Sequence, residues 1–262
     1  MQFSVLMSIY TATQADDLDR CLESLAGQSL APSQVVLVRD GPVDASVEQC
    51  IEIHTQSLPM RHLYFPQNRG LGLALRDGLQ ACDHEFVARV DSDDWSVPER
   101  FQKQAQFLRG EPEISLVGGW LKEHYNVGKD TFSVVRRSPL NHMSIREIAK
   151  RRNPINHPTV MFRKKDVLAC DSYESCPLFE DYYLWAKMLV QGYLLANLPK
   201  VLVETEVDSD YFRRRGGAAY VRNEFHLVRK LRQIGFLSPI EAGTFLLSRL
   251  PVRLVPVFIR QH

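Results

Sequence analysis

Apolar residues follow two alternating rhythms along the first hundred positions. Short apolar runs at 3–9, 34–38, 62–65 and 86–90 have the length and composition of strands. Between them the apolar positions fall three and four residues apart. Leu18, Cys21, Leu22 and Leu25 make one helical face, Leu71, Leu75 and Leu79 a second, and Phe101, Ala105 and Leu108 a third. A weaker helix is expected over 47–54. Strands alternating with helices predict βαβ units and a mostly parallel, Rossmann-like α/β sheet flanked by helices. Ser96 and Glu99 stand at capping-box spacing with Pro98 between them, so the third helix is expected to start there.

Beyond residue 110 the alternation fades into a more mixed region. Strands are expected at 114–121, 131–136, 158–162 and near 201–207. Ser144 and Glu147 repeat the capping-box spacing and open a short helix that ends on the basic run Lys150, Arg151, Arg152. A helix over 180–190 carries Leu184, Trp185, Met188 and Leu189 on its apolar side and two acids in its first turn, and Gly192 closes it. Two terminal helices follow a basic loop at 213–217, and Pro251 and Pro256 interrupt the last of them, expected over 240–259. No internal repeat or low-complexity linker divides the chain. The organisation expected is one compact domain over 1–217 and a C-terminal helical extension over 218–262.

Composition narrows the function classes. With 262 residues, 45% of them hydrophobic, the chain can bury a full core. Its 32 basic and 31 acidic side chains nearly cancel, which argues against nucleic acid as a partner and makes any basic function local. The five cysteines are odd in number and contain no C-x-x-C pair, so neither a disulfide framework nor a cysteine zinc site is expected, and a reducing cytoplasm is the natural compartment. The N-terminus reads as a strand rather than a signal peptide. No apolar stretch reaches the roughly 20 residues of a spanning helix.

The candidate chemistry is acidic. In open α/β sheets ligands bind beyond the carboxyl ends of the strands, so Asp40 after the second strand and Asp91, Asp93 and Asp94 after the fourth are expected to share one crevice. Asp91 and Asp93 project the same way from an extended segment and offer hard oxygen ligands suited to Mg²⁺ or Mn²⁺. Three carboxylates within four residues repel one another unless a cation neutralises them or solvent screens them. An ordinary solvated acidic turn is the alternative. Arg89, two residues before Asp91 on the same strand, is placed to balance the charge.

Taken in order, these motifs resemble the GT-A-type inverting glycosyltransferases of family 2. The resemblance runs from residue 3 to about 217: strand, helix, strand ending in an aspartate, Asn-x-Gly helix start, strand ending in D-S-D-D, and a later Glu-Asp helix. The segments DSDDW at 91–95, NHPTVMF at 156–162 and EDYYLW at 180–185 resemble bacterial polysaccharide-assembly members. The resemblance implies a nucleotide diphosphate-sugar donor, usually UDP-linked, and a saccharide or lipid-linked acceptor. It implies a divalent cation, Mn²⁺ or Mg²⁺, held mainly by Asp93, with Asp91 on ribose or metal. Asp40, Ser8 and Tyr10 would surround the base, with Ser92 beside them. Asp181 would be the general base, and its neighbour Glu180 would tune it; stabilisation of a helix N-terminus is the plain reading of both acids. This chain departs from the commoner family form by having Arg39 before Asp40 where a second acid is usual, which loosens the assignment of the base.

Several features carry a functional and a plain reading side by side. Asn68, Arg69 and Gly70 can approach the donor through glycine-bared backbone at a helix start, or form only a structural turn. Trp120 is a candidate sugar platform or a core residue, and His157 a candidate for the acceptor side or the metal, or a structural histidine. Arg213 and Arg214 suit a lid over the diphosphate, or solvated surface. The 240–260 segment, with Arg249, Arg253 and Arg260 among apolar blocks and no acid after Glu241, suits peripheral contact with the inner face of the cell membrane; packing on the domain or in a homodimer is the rival. Two other functions stay open at this level. A sugar-nucleotide nucleotidyltransferase would carry a Gly-rich basic loop where residues 10–14 lack one, and a non-catalytic nucleotide-sugar or polysaccharide binder would not need Asp181.

Overall fold

A computed structural model describes residues 1–127, 130–207 and 217–254, with side chains over 1–126, 131–207 and 217–249. The first half follows the expected alternation: β1 (Phe3–Ile9), α1 (Ala15–Ala26), β2 (Gln34–Asp40), α2 (Ala45–His54), β3 (Met60–Phe65), α3 (Leu71–Ala81) and β4 (Phe86–Asp91). These four strands pair in parallel in the order β3-β2-β1-β4. Successive side chains go to opposite faces, and both faces are covered. Leu6, Val36, Val38 and Val87 enter one apolar cluster with α3, whereas Phe3, Val5, Met7, Ile9, Val35, Leu37 and Ala88 enter another with α1, α2 and the helix at 100–110. Each such fully buried aliphatic contributes roughly 1.5–3 kcal/mol, which fixes the register.

The second half is mixed. β5 (Asp94–Ser96), α4 (Arg100–Gly110), β6 (Ile114–Val127), β7 (Asp130–Arg136), α5 (His142–Ile148), β8 (Met161–Arg163), α6 (Lys164–Ala169), α7 (Glu180–Val190) and β9 (Leu194–Val207) complete the sheet and its cover. β8 lies antiparallel between β4 and β6, β9 runs parallel to β6, and β5 closes the edge against β9. Two helices, α8 (Gly217–Gln233) and α9 (Pro239–Leu254), end the described chain. Tyr220, Leu227, Leu231, Ala242 and Phe245 from these helices join α7 in one buried cluster. Among the described residues no helix is long and apolar enough to cross a membrane.

Some local expectations fail for identifiable reasons. Ser96 is not a helix cap: it lies in β5, and its hydroxyl accepts from the buried Arg100 guanidinium at 3.0 Å, while α4 starts after Glu99 without a side-chain cap. The Ser144 capping box is displaced three residues upstream, where Asn141 Oδ1 accepts the Ser144 N–H at 3.0 Å. The strand expected at 158–162 begins as a 3₁₀ turn, His157–Thr159, because Pro158 has no N–H to pair. Pro251 lies within α9 rather than breaking it. The expected interruption at Pro256 and the loop at 213–216 lie outside the described residues.

Candidate active site

Strand order supplies the site. β1 pairs with β2 on one side and β4 on the other, so successive connections leave the sheet in opposite directions at the β1/β4 boundary. Ser8 and Asp91 are partners across that boundary. A cleft of about 570 Å³ opens there, lined by Ser8, Tyr10, Asp40, Asn68, Asp91, Ser92 and Asp93, all expected from sequence. Ala12, Thr13, Gln14, Asp17 and Leu71 line it too. Ala12, Thr13, Gln14 and Asp17 were not singled out, because the segment after β1 has no motif beyond its polarity, and Leu71, expected on the apolar face of α3, reaches the cleft from the start of that helix.

On one wall the Asp40 carboxylate is only 2% exposed and accepts the N–H groups of Arg69 at 3.0 Å and Gly70 at 2.9 Å. Asn68 Oδ1 accepts the Gly70 N–H as well, at 3.0 Å. Gly70 has φ +89°, a conformation that side-chain-bearing residues rarely adopt. Asp40 thus folds the 68–70 loop against the cleft and keeps only residual acceptor capacity for a ligand. The Arg69 guanidinium sits behind the cleft wall, stacking 3.5 Å from the Phe65 ring centre, pairing with Asp77 at 2.9 Å and lying 3.9 Å from Asp40, and neither Arg69 nor Gly70 is among the residues lining the cleft.

The floor is the acidic cluster. One carboxylate oxygen from each of Asp91, Asp93 and Asp94 lies within 4.8 Å of the others. Arg89, 2% exposed, grips both oxygens of Asp91. Asp94 is buried beneath, on β5, and its carboxyl is pushed well above the usual carboxylate range by burial and by Asp91 and Asp93. Asp93 faces the open cleft, yet crowding by the protein and repulsion from Asp91 raise it to about 6. An all-oxygen set of crowded, mutually repelling carboxylates fits a hard divalent cation. With Asp91 engaged by Arg89, Asp93 is the freer ligand.

Asp181 stands in the first turn of α7, where Asn153 donates to its Oδ2 at 2.5 Å. Burial raises its pKa, and Asn153, the Tyr182 N–H, Arg89 and Arg136 act against that rise. Glu180 is pushed up to about 7 by burial, with repulsion from Asp181 in the same direction. α3 meets this turn at Gly72, where a Cβ would come 2.4 Å from the Glu174 carbonyl oxygen and 2.9 Å from Glu180 Cγ. Arg89 is the positive charge felt by both ends of the site, by Asp93 and Asp94 on one side and Glu180 and Asp181 on the other.

The sequence model described as "Glycosyl transferase family 2" matches residues 4–171. The chain belongs to glycosyl transferase family 2. Over 262 residues this glycosyltransferase is 38% identical to the amylovoran biosynthesis glycosyltransferase AmsE of Erwinia amylovora, covering 99% of this chain and 96% of that protein. It is 31% identical, over 100% of this chain and 94% of the relative, to the Escherichia coli UDP-Gal:alpha-D-GlcNAc-diphosphoundecaprenol beta-1,3-galactosyltransferase. Its fold matches S. aureus TarS in complex with UDP-GlcNAc at a TM-score of 0.71 and 18% identity, covering 95% of this chain and 72% of that one. The mannosyltransferase PcManGT of Pyrobaculum calidifontis, in complex with GDP-Man and Mn²⁺, matches at 0.67 and 14% identity, covering 97% and 70%. The expected GT-A-type fold is therefore shown.

The remaining expected residues of this family 2 transferase sit in distinct settings. His157 Nε2 bonds the Tyr173 hydroxyl at 3.1 Å, its ring packs on Tyr173 and edge-on to Trp185, and burial with Arg89 nearby holds it neutral. Trp120 is half-buried with the Arg137 guanidinium 5.2 Å from its ring centre. Arg213 and Arg214 lie outside the described residues. Asn153 escaped sequence reasoning because it meets Asp181 across 28 positions with no local signature. A second group, Asp19, Cys50 and His54, also lies close together; its 2.7 Å His54–Asp19 bond ties α2 to α1.

Proposed function

We propose that this glycosyltransferase moves a sugar from a UDP-linked donor to a saccharide carried on a lipid diphosphate, inverting the anomeric carbon, in bacterial surface-polysaccharide assembly. The observation that carries the reading is the pairing, through Arg89, of an acidic cluster on the cleft floor with a recessed carboxylate, Asp181, whose proton affinity is raised. The E. coli relative, by its name, uses UDP-Gal and a GlcNAc-diphosphoundecaprenol acceptor, which supports that substrate class here.

The donor's base occupies the cleft between Tyr10 and the Asp40-ordered loop, and its diphosphate lies over Asp91, Ser92 and Asp93. Mn²⁺ or Mg²⁺ held by Asp93 and Asp91 supplies, when bound, neutralisation of the departing diphosphate. Asn153 fixes the Oδ2 edge of Asp181, so Oδ1 takes the proton of the acceptor hydroxyl as that oxygen attacks the anomeric carbon. The new C–O bond forms as the bond to the diphosphate breaks, and the proton passes later from Asp181 to solvent. Arg89 holds Asp91 in place and keeps Asp181 ionisable despite its burial. A lipid-linked acceptor sets the enzyme's work at the cytoplasmic face of the membrane.

A thermal-shift panel of nucleotide-sugars with and without Mn²⁺ tests the donor side. One UDP-sugar is expected to stabilise the protein only with the cation, by roughly 3 kcal/mol at a hundred times its Kd. Stabilisation indifferent to the cation removes the metal from the account, and a preference for another nucleotide removes UDP.

A further inference from the structure

Positive charge is not spread evenly over this nearly neutral chain. Residues 142–152 carry four basic side chains and one acidic, and residues 217–249 carry five and two. The rest has 23 basic and 28 acidic, so the molecule is electrically polarised towards these two segments.

The fold brings the two segments together beside the acceptor end of the site. Lys150, just after α5, pairs with Glu241 of α9 at 3.5 Å. Tyr182, next to Asp181, donates to the Ala149 carbonyl at 2.6 Å and packs its ring against Phe245 of α9. Three residues after Lys150 comes Asn153, which holds Asp181. The surface next to the base is thus built from α5, its basic end and α9.

That surface has the chemistry of a bilayer contact. α9 buries Ala242 and Phe245, and turns outward Ile240, at 83% exposure, and Leu247, at 77%, with Gly243 and Thr244 exposed between them and no charge in the stripe. Met143 on α5 is 71% exposed, Arg146 is exposed one turn further along the same helix, and Arg151 and Arg152 are exposed in the run that follows it. Exposed apolar side chains on elements joined through a basic run, as α9 is to α5 through Lys150 and Glu241, are what an interfacial element presents to headgroups and acyl boundary. Resting on the lipid-linked acceptor reading, we propose that α5, the 150–152 run and the outer stripe of α9 form a docking face for an anionic lipid surface, seating the acceptor end of the site at the bilayer. The positive charge selects an anionic bilayer over a second copy of the chain, because two such faces brought together would repel.

Truncation is a poor test, since Ala242 and Phe245 belong to the core. Full-length protein is instead sedimented with phosphatidylcholine vesicles with and without phosphatidylglycerol, in parallel with R146Q/R151Q/R152Q and I240D/L247D variants. Wild type is expected to partition onto the anionic vesicles alone and to be released by salt. The arginine variant should lose roughly a hundredfold, at about fivefold per arginine. Both variants should keep the wild-type melting temperature and wild-type transfer to a short-chain, detergent-free acceptor. Equal partition of all three proteins overturns the proposal. So does a wild-type dimer that I240D/L247D dissociates without any vesicle binding, which would assign the stripe to a second copy. Failure of wild type to glycosylate the short-chain acceptor counts against the acceptor reading, whereas transfer without vesicle binding counts against the docking face alone.

Discussion

Replacing Asp91 and Asp93 one at a time separates two roles that sequence spacing makes look alike. Asp91 is the bidentate counter-ion of Arg89, whose side chain is 2% exposed; Asp93 faces the cleft, where burial and repulsion from Asp91 outweigh the more distant pull of Arg89. Asp91→Ala leaves a buried guanidinium without its partner, a change that costs about 3–5 kcal/mol when the pair is buried. Asp91 is itself 32% exposed, and Arg89 still feels Glu180 and Asp181, so the lower end, about 3 kcal/mol, is expected here. At this chain length that lowers the melting temperature by roughly 6–12 °C. Asp93→Ala removes a repelled charge whose pKa is raised to about 6, so at pH 7 and above the variant should be at least as stable as wild type, with the gain discounted because the side chain is exposed. Both variants should lose cation-dependent UDP binding. The assay is denaturant unfolding in EDTA, so that no bound cation contributes, followed by calorimetric UDP titration with Mn²⁺. Equal destabilisation by the two substitutions, or a fully stable Asp91→Ala protein, would refute the assignment of Asp91 as the structural acid and Asp93 as the freer ligand.

Other substitutions probe the remaining parts. Asp181→Asn should bind donor with wild-type affinity while kcat falls about 10²–10⁴-fold; a variant that transfers normally removes Asp181 as base. Glu180, raised in the fold from 4.5 to about 7, adds nothing unfavourable below pH 4.5 and destabilises progressively as pH rises to 7 and above. Glu180→Gln should therefore gain about 2–3 kcal/mol at pH 8 and nothing at pH 4, measured by urea unfolding at the two pH values; an equal effect at both refutes the shift. Because the Asp181 pKa is also raised, the acidic limb of kcat against pH should lie above the ordinary aspartate range, and a limb at or below it contradicts the burial argument. Gly72→Ala drives a methyl into the Glu174 carbonyl and Glu180; about 1–3 kcal/mol of destabilisation with a reduced kcat is expected, and unchanged unfolding and kinetics would show that α3 does not set the position of the base.

What could be read from the chain depends on whether the signal is local. β1, β2 and β4 were legible because both faces of the parallel sheet are covered there, so each is a nearly continuous apolar run, whereas the edge strand β3, half-buried at best, was legible only over its last four residues. α7 was legible to the residue at both ends, with two acids in its first turn and Gly192, at φ +85°, after its last. The Arg89–Asp91 pair could be anticipated because residues two apart on a strand share a face. The failures come from long-range partners. Ser96 has the local look of a cap, but Arg100 uses its hydroxyl to brace the floor of the site. β5 is three residues long and exists only through pairing with β9. No periodicity reports Asn153 on Asp181, or that α9 packs against the helix carrying the base. The separation of 218–262 as an extension rested on the change in element type, whereas the apolar contacts of Tyr220, Leu227 and Phe245 run continuously into α7.

The central claim is that a donor seated over Asp91 and Asp93 is attacked from the Asp181 side in a single displacement. Proton NMR of the first product formed from an α-linked UDP-sugar and a GlcNAc-diphosphate-lipid acceptor tests it most directly. The account predicts a β-linked product with wild type, formed about 10²–10⁴-fold more slowly by Asp181→Asn. An α-linked product, or the same product at the same rate from the variant, would contradict it.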